Sequence, residues 1–241
     1  MKLARRRARG PAVKRSLPVR LFRLVVKIVL WFVVISVAWA ALYRFVPPPV
    51  TFTMLGNALD GRGIHKRWMP LSEIDPDMAR AAIAGEDSRF CSHHGFDFGA
   101  IAKAYAHNER GGRIRGGSTI SQQTAKNVFL IQSGGYVRKA VEAWFTLLIE
   151  TLWGKKRIME VYLNVAETGI GTYGVNAGAQ RYFGHDAAHL TVTEAARIAA
   201  VLPLPKKRLA TDPRGFTRRY GNAIAARAGV VRRDGLDRCL K

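Results

Sequence analysis

The sequence feature that most constrains this chain is one long apolar run, LVVKIVLWFVVISVAWAALY, from Leu24 to Tyr43. Its 20 residues match the length that an α-helix needs to cross the hydrocarbon core of a bilayer. Lys27 is the single charge and lies near one end, where its side chain can reach the headgroups. No face of the run is polar, which disfavours a buried helix of a soluble protein. The run therefore predicts a membrane-spanning helix.

The distribution of charge predicts how that helix is oriented. The chain has 39 Lys and Arg against 17 Asp and Glu, a net charge of +22, yet no acidic residue precedes Asp60. Ten cations are concentrated at the N-terminal side of the span: Lys2, Arg5, Arg6, Arg7, Arg9, Lys14, Arg15, Arg20, Arg23 and Lys27. A basic flank on this side predicts a cytoplasmic N-terminus, with residues 44–241 outside. A cleaved signal peptide is the alternative, since Ala38-Trp39-Ala40 resembles a cleavage site, but the length of the span and the missing polar c-region favour an anchor.

The chain divides into four predicted segments: a basic arm over 1–23, an anchor over 24–44, a stalk or linker over 45–70 and a globular domain over 71–241. The three prolines at 47–49 end the anchor helix and favour an extended stalk. In the globular domain, caps and apolar periodicity predict six helices, over about 76–88, 96–110, 118–130, 136–153, 156–167 and 190–202. Strand signals are almost missing. The domain is therefore predicted to be all-α.

The chain has two cysteines, Cys91 and Cys239. They could form a single bridge in an oxidising compartment, but two residues cannot make a disulfide framework. Because Cys239 lies at the extreme C-terminus, we expect two unrelated thiols.

The segment EDSRFCSHHGFD, residues 86–97, concentrates several chemically active side chains. Adjacent histidines diverge, whereas zinc motifs usually separate their ligands, so metal binding is disfavoured. Glu86 and Asp87 fall at a predicted helix C-terminus, where the helix dipole and the neighbouring carboxylate both disfavour ionisation and raise the pKa of a general base. A solvated helix end fits the same residues.

Two further helices have polar patterns that fit ligand binding. On the largely apolar helix over 136–153, the side chains Arg138, Glu142, Thr146 and Glu150 form one polar line, with Lys139 close to Glu142. Such a line faces a cavity or forms an internal ion-pair network. The helix that begins near Ser118 has a capping box, Thr119 with Gln122, and follows a basic, glycine-rich loop. Together these features suit an anion such as phosphate. Ordinary capping explains the hydroxyl residues equally well.

Four segments in order, EDSRFCSHHGFD, GGSTISQQTAKN, RKAVE and KKRIMEVYLN, resemble the successive motifs of the peptidoglycan glycosyltransferases. The resemblance covers about residues 70–205 and includes NVAETGIGTYGVNAGAQRYFG after the last motif. It implies an all-α, lysozyme-like glycosyltransferase domain preceded by one N-terminal transmembrane helix. One departure is Gly134, where the family often has an arginine, and Arg113 or Arg115 could replace its phosphate contact.

The resemblance also implies roles for individual residues. Glu86 matches the general base and Glu142 the second essential glutamate, near the pyrophosphate of the donor. Substrate-binding positions are Asp87, Ser118, Gln122, Gln123, Lys126, Arg138, Lys139 and Lys155. Scaffold positions within the motifs are Phe90, His93, Gly95, Asn127, Tyr162 and Asn164.

The implied reaction is polymerisation of lipid II at the outer face of a bacterial cytoplasmic membrane, with the catalytic domain periplasmic or extracellular. The implied partners are lipid II, the nascent glycan strand and the membrane, and cell-wall synthesis or division proteins are candidates. No cofactor is required, although Glu142 could hold Mg²⁺ or another divalent cation. A muramidase and a membrane-anchored binder of anionic polymer are the alternatives. The charge favours nucleic acid only weakly, because ten cations are explained by topology and no nucleic-acid motif occurs.

Overall fold

The computed structural model describes residues 17–111 and 116–241. Helix α1, Leu17–Phe45, is the one described helix that is long and apolar enough to cross a membrane. It begins before the predicted span and ends directly ahead of the prolines at 47–49, which cannot continue it. Residues 40–241 form a compact unit.

The compact unit is predominantly helical, which confirms the all-α prediction. All six predicted helices are present, with shifts of a few residues at their ends, and α2, α8 and α10 were not predicted. The helices are α2 Phe52–Leu59, α3 Pro76–Glu86, α4 Phe98–Glu109, α5 Ile120–Phe129, α6 Gly135–Leu152, α7 Gly154–Val165, α8 Val175–Phe183, α9 Val192–Val201 and α10 Gly215–Arg233. Single 3-10 turns cover Ala187–His189 and Arg238–Leu240.

A small sheet changes the interpretation of the segment after the anchor. It consists of β1 (His65–Lys66), β2 (Glu167–Gly169) and β3 (Thr172–Tyr173), in the order β1-β3-β2. Strand β1 is parallel to β3, with His65 opposite Thr172, and β2 is antiparallel to β3. The segment 45–70 thus differs from the expected extended stalk, because it contains α2 and a strand paired with the rest of the domain.

The same segment is also held to α7 by a buried side chain. The Asn164 amide accepts a hydrogen bond from the backbone N–H of Met69 (2.8 Å) and donates one to the Met69 carbonyl (2.8 Å). The prolines end α1, but Thr51 starts a new helix by accepting a hydrogen bond from the N–H of Met54.

Two groups of helices meet at the C-terminal end of α3. Helices α3, α9 and α10 pack against one another through fully buried side chains that include Ile83, Ile198 and Ile224. Helices α5, α6 and α7 form the second group, in which the rings of Phe129 and Phe145 stack with centroids 4.3 Å apart. The last residues of α3 bond to α5, so the predicted catalytic helix end lies between the groups.

The two cysteines form a disulfide, Cys91–Cys239, with their Cα atoms 5.4 Å apart. The expectation of two unrelated thiols is therefore wrong. The C-terminal turn packs beside α3, where Arg80 donates to Asp237 (2.9 Å) and to Asp77 (2.8 Å). Tertiary packing thus brings together two residues separated by 148 positions in the sequence.

Candidate active site

Glu86 ends α3, as predicted, and one of its two carboxylate oxygens is free. Helix α3 starts at the Asp75 cap and Pro76, and it ends with Asp87 as C-cap. The Gln123 amide donates to Oε2 of Glu86 (2.9 Å), whereas Oε1 is buried without a hydrogen-bond partner among residues 17–111 and 116–241. Burial raises the pKa of Glu86 above its usual value, although the Gln123 hydrogen bond and the charge of Arg208 oppose this shift. Such a carboxylate is suited to accept a proton.

Asp87 is buried, and its carboxylate is fully engaged by the protein. Oδ2 accepts the backbone N–H of Ile120 (2.9 Å), at the N-terminus of α5, and the Nε2 of His93 lies 2.9 Å away. Asp87 therefore joins the end of α3 to the start of α5. These bonds give Asp87 a positioning role, and its predicted substrate contact remains a prediction.

His93 and Gly95 shape the loop after α3 through local contacts. The backbone N–H of Gly95 donates to Nδ1 of His93 (3.1 Å), so the proton on the ring lies on Nε2 and points to Asp87. Gly95 has φ +93°, and a Cβ there would lie 2.9 Å from Cγ2 of Thr146. The ring of Phe90 meets that of His93 edge to face. Cys91 is in a disulfide and His93 is bound to Asp87, so neither side chain is available to a metal ion.

The predicted capping box at the start of α5 is present. Thr119 accepts the N–H of Gln122, and Oε1 of Gln122 accepts the N–H of Thr119 (3.0 Å). The buried Gln122 therefore caps the helix through its side-chain oxygen, and its predicted substrate contact remains a prediction. The next residue, Gln123, is the one that reaches Glu86.

Lys126, two turns into α5, links the two predicted essential glutamates electrostatically. The pKa of Lys126 is lowered, chiefly by burial and also by the nearby charges of Arg138 and Lys139. The negative charges of Glu142 and Glu86 oppose this shift. The Lys126 ammonium makes no hydrogen bond or ion pair within 4 Å in the part of the chain that the structure describes. It is therefore a cation available to an anionic ligand.

Glu142 lies buried on α6 between two cations. Nη1 of Arg138 donates to its Oε2 (2.7 Å), and the Lys139 ammonium bonds to Oε1 and lies 3.4 Å from Oγ of the exposed Ser118. Nε of Arg138 is buried and has no partner among the described residues. With Lys126, the cluster has three cations and one carboxylate, and this excess of positive charge favours a phosphate-containing ligand.

The remainder of the predicted polar line on α6 is an internal network. Glu150 accepts hydrogen bonds from Oγ of Ser121 and from the Lys155 ammonium, which also lies 4.6 Å from the centroid of the Phe90 ring. The Thr146 hydroxyl donates to the carbonyl of Glu142. Lys155 thus stabilises the packing of α7 on α6, and its predicted substrate contact remains a prediction.

A cavity of about 450 Å³ opens beside Gln123 and Lys126 and is also lined by the predicted scaffold residues Asn127 and Tyr162. Lys206, Lys207 and Glu167 also line it. Gln123, which bonds to Glu86, and Lys126, which interacts electrostatically with Glu142, therefore face the same cavity.

Two expectations concern one phosphate contact: Gly134 was expected to stand where the family often has an arginine, and Arg113 or Arg115 to replace the contact of that arginine. Arg113 and Arg115 lie outside the described residues. Gly134 is the N-cap of α6 with φ +124°, a region that L side chains rarely adopt. An arginine at this position would therefore need a different backbone.

The residues around Glu142 do not fit a divalent cation. Both carboxylate oxygens are bound to cationic side chains, and no group of three His, Cys, Asp or Glu side chains that could hold a metal occurs in residues 17–111 and 116–241. A positive cluster would repel Mg²⁺, which prefers several oxygen ligands.

Sequence analysis missed two residues beside Glu86. Arg208 affects Glu86 electrostatically, and the hydroxyl of Tyr220 donates to the carbonyl of Gly85 (2.8 Å). Tyr220, Ile224, Ala228 and Val231 follow helical spacing, which could have indicated α10, but three glycines and many arginines in the same segment conceal it.

Comparisons with known proteins agree with this geometry. A family model described as Transglycosylase matches residues 53–228. A biosynthetic peptidoglycan transglycosylase of Caulobacter vibrioides is 57% identical over 199 residues, which cover 83% of this chain and 87% of the relative. Proteins of the same description from Rhodospirillum centenum and Pseudomonas aeruginosa are 47% identical over 222 residues (92% and 96% covered) and 51% identical over 204 residues (82% and 88% covered).

Proposed function

This chain belongs to the transglycosylase family of peptidoglycan glycosyltransferases, and from that premise we propose that it elongates glycan strands with lipid II as the acceptor. The growing strand would be transferred from its undecaprenyl pyrophosphate to the 4-hydroxyl of the N-acetylglucosamine of lipid II. The pyrophosphate ester supplies the activation, so no nucleotide is needed.

Glu86 is the general base of this reaction. Its unpartnered oxygen Oε1 takes the proton of the acceptor hydroxyl as that oxygen attacks the anomeric carbon of the terminal N-acetylmuramic acid. Gln123 holds the other oxygen and thereby orients the carboxylate. The raised pKa makes Glu86 a stronger base than an exposed glutamate.

The leaving undecaprenyl pyrophosphate departs from the opposite face of the sugar, which inverts the α-linkage to β-1,4. Lys126, Arg138 and Lys139 stabilise its developing negative charge. Glu142 holds Arg138 and Lys139 in place. No step requires a metal ion.

The observation that carries this proposal is the position of Lys126, whose charge acts on Glu86 and on Glu142 together. A proton acceptor and a pyrophosphate site therefore belong to one region. The apolar helix α1 supports an anchored enzyme, with an N-terminus in the cytoplasm and the catalytic domain on the outer face of the cytoplasmic membrane.

The experiment is polymerisation of labelled lipid II by the purified full-length chain, with and without moenomycin, a blocker of this family. We expect a moenomycin-sensitive glycan product, and Glu86→Gln should leave less than a few per cent of the activity in a folded protein. Release of soluble muropeptides from cell-wall sacculi, without glycan synthesis, would instead identify a muramidase.

A further inference from the structure

Helix α10 contacts the last turn of the helix that carries Glu86. The hydroxyl of Tyr220 donates to the carbonyl of Gly85 at 2.8 Å. This carbonyl is one of the last four of α3, which have no partner inside the helix. Gly85 allows this close approach, because a Cβ there would lie 3.1 Å from Cδ1 of Ile224. The backbone immediately before Glu86 is thus bound to α10.

Arg208 is joined to the same contact. Its guanidinium carbon lies 5.7 Å from the centroid of the Tyr220 ring and 5.1 Å from that of Phe216. Nη1 donates to the carbonyl of Ala200 (2.7 Å), which holds the side chain in a buried position. The two aromatic rings and the Ala200 carbonyl together hold the guanidinium of Arg208 in one orientation. Its charge acts on the carboxyl of Glu86.

The other charged and titratable groups around Glu86 come from several elements. Asp87 follows it in the chain, Lys126 lies on α5, and the phenols of Tyr162 and Tyr220 lie on α7 and α10. Of the two cations, Arg208 has the larger effect on the pKa of Glu86 and lowers it, against the upward shift caused by burial. Lys126 also interacts electrostatically with the Glu142 cluster.

We propose that Tyr220 and Arg208 are positioning residues for Glu86: Tyr220 fixes the end of α3, and Arg208 supplies the charge that keeps the carboxylate ionised. This inference rests on the proposed function, in which Glu86 is the base. Neither residue lies in the segment over 70–205 that resembles the family motifs. Helix α10, with Tyr220, and the segment before it, with Arg208, therefore position the base.

Tyr220→Phe removes only the hydroxyl and keeps the ring that stacks on Arg208. We expect kcat to fall about threefold to tenfold, the effect of one hydrogen bond on the barrier, with KM for lipid II unchanged. The matched control is Tyr182→Phe on α8. It removes a hydroxyl that donates to the carbonyl of Thr168 in β2 at 2.8 Å. Equal losses of kcat in both variants would overturn the role of Tyr220.

Arg208→Gln removes the cation, and Arg208→Lys keeps it. We expect the acidic limb of the pH dependence of kcat to move to higher pH by about half a unit or more in Arg208→Gln, and to return towards wild type in Arg208→Lys. A purely structural loss would lower kcat at every pH without moving this limb, and that result would overturn the role of Arg208.

A direct titration separates this inference from the proposed function. The Glu86 carboxyl is followed by NMR in full-length protein with ¹³C-labelled glutamate, and its signal is assigned by its loss in Glu86→Gln. A higher pKa in Arg208→Gln supports the inference even if wild type forms no glycan, a result that would refute the proposed function alone. An unchanged pKa in both Arg208 variants, with folding confirmed by their melting temperatures, would refute the inference.

Discussion

At the scale of single residues, the site depends on which atoms remain unpaired. Glu86 has one oxygen bound to Gln123 and one buried without a hydrogen-bond partner in residues 17–111 and 116–241, whereas both oxygens of Glu142 are bound to cations. The two carboxylates therefore suit different tasks, one as proton acceptor and one as holder of positive charge. A similar division of roles by environment operates in other enzymes with paired acids.

The raised pKa of Glu86 predicts a pH-dependent effect on stability. Because the folded-state pKa lies above the unfolded value, the associated stability is fully present below the unfolded pKa and is lost as pH rises through the folded pKa. Glu86→Gln does not titrate, so its melting temperature should rise relative to wild type between acidic and neutral pH. A difference in melting temperature between Glu86→Gln and wild type that stays constant with pH would contradict the assigned burial of Glu86.

Gly95 is predicted to be intolerant of a side chain. Gly95→Ala combines a positive φ with a Cβ 2.9 Å from Thr146, and we expect it to cost more than about 2 kcal/mol of unfolding free energy. Gly111→Ala is a matched control, because φ is +74° but no atom of residues 17–111 and 116–241 lies within 4 Å of the added Cβ. It should cost about 1 kcal/mol. Urea unfolding of both variants makes the comparison, and equal costs would argue against the tight contact.

At the scale of elements, the C-terminal segment stabilises the catalytic loop from two sides. Tyr220 of α10 bonds to Gly85, just before Glu86, and Cys239 is bridged to Cys91, five residues after it. The segment therefore restrains the motif although it lies more than a hundred residues away in the sequence.

Removal of the disulfide should destabilise the domain. Closing a loop of 148 residues stabilises the folded state by about 5 kcal/mol in the chain-entropy estimate, which is an upper value for real proteins. We expect Cys239→Ser to lower the melting temperature, and dithiothreitol to lower that of wild type to the same value. Reductant should not affect Cys239→Ser. A wild-type melting temperature that is insensitive to reductant, with the thiols shown by mass spectrometry to be reduced, would contradict a stabilising bridge.

At the scale of the whole molecule, charge and hydropathy along the chain predict its topology. Ten cations on the N-terminal side of the span predict a cytoplasmic N-terminus. Alkaline phosphatase fused after Lys241 should therefore be active, and a green fluorescent protein fused before Met1 should fluoresce. In a control with the N-terminal arginines of residues 5–9 replaced by glutamine, the orientation should become mixed. An inactive phosphatase in the wild-type fusion would exclude the proposed location of the catalytic domain.

The sequence alone determined the apolar helix α1, six further helices and the position of Glu86 at a helix end, because these depend on local composition, caps and periodicity. Four ordered motifs also indicated the family. Tertiary structure alone decided that Asp87 bonds to the N-terminus of α5, that Cys91 and Cys239 are joined, and that α10 bonds to the end of α3. These contacts join residues far apart in the chain, and a side chain's role there depends on which partner occupies its polar atoms, information that neither spacing nor composition contains.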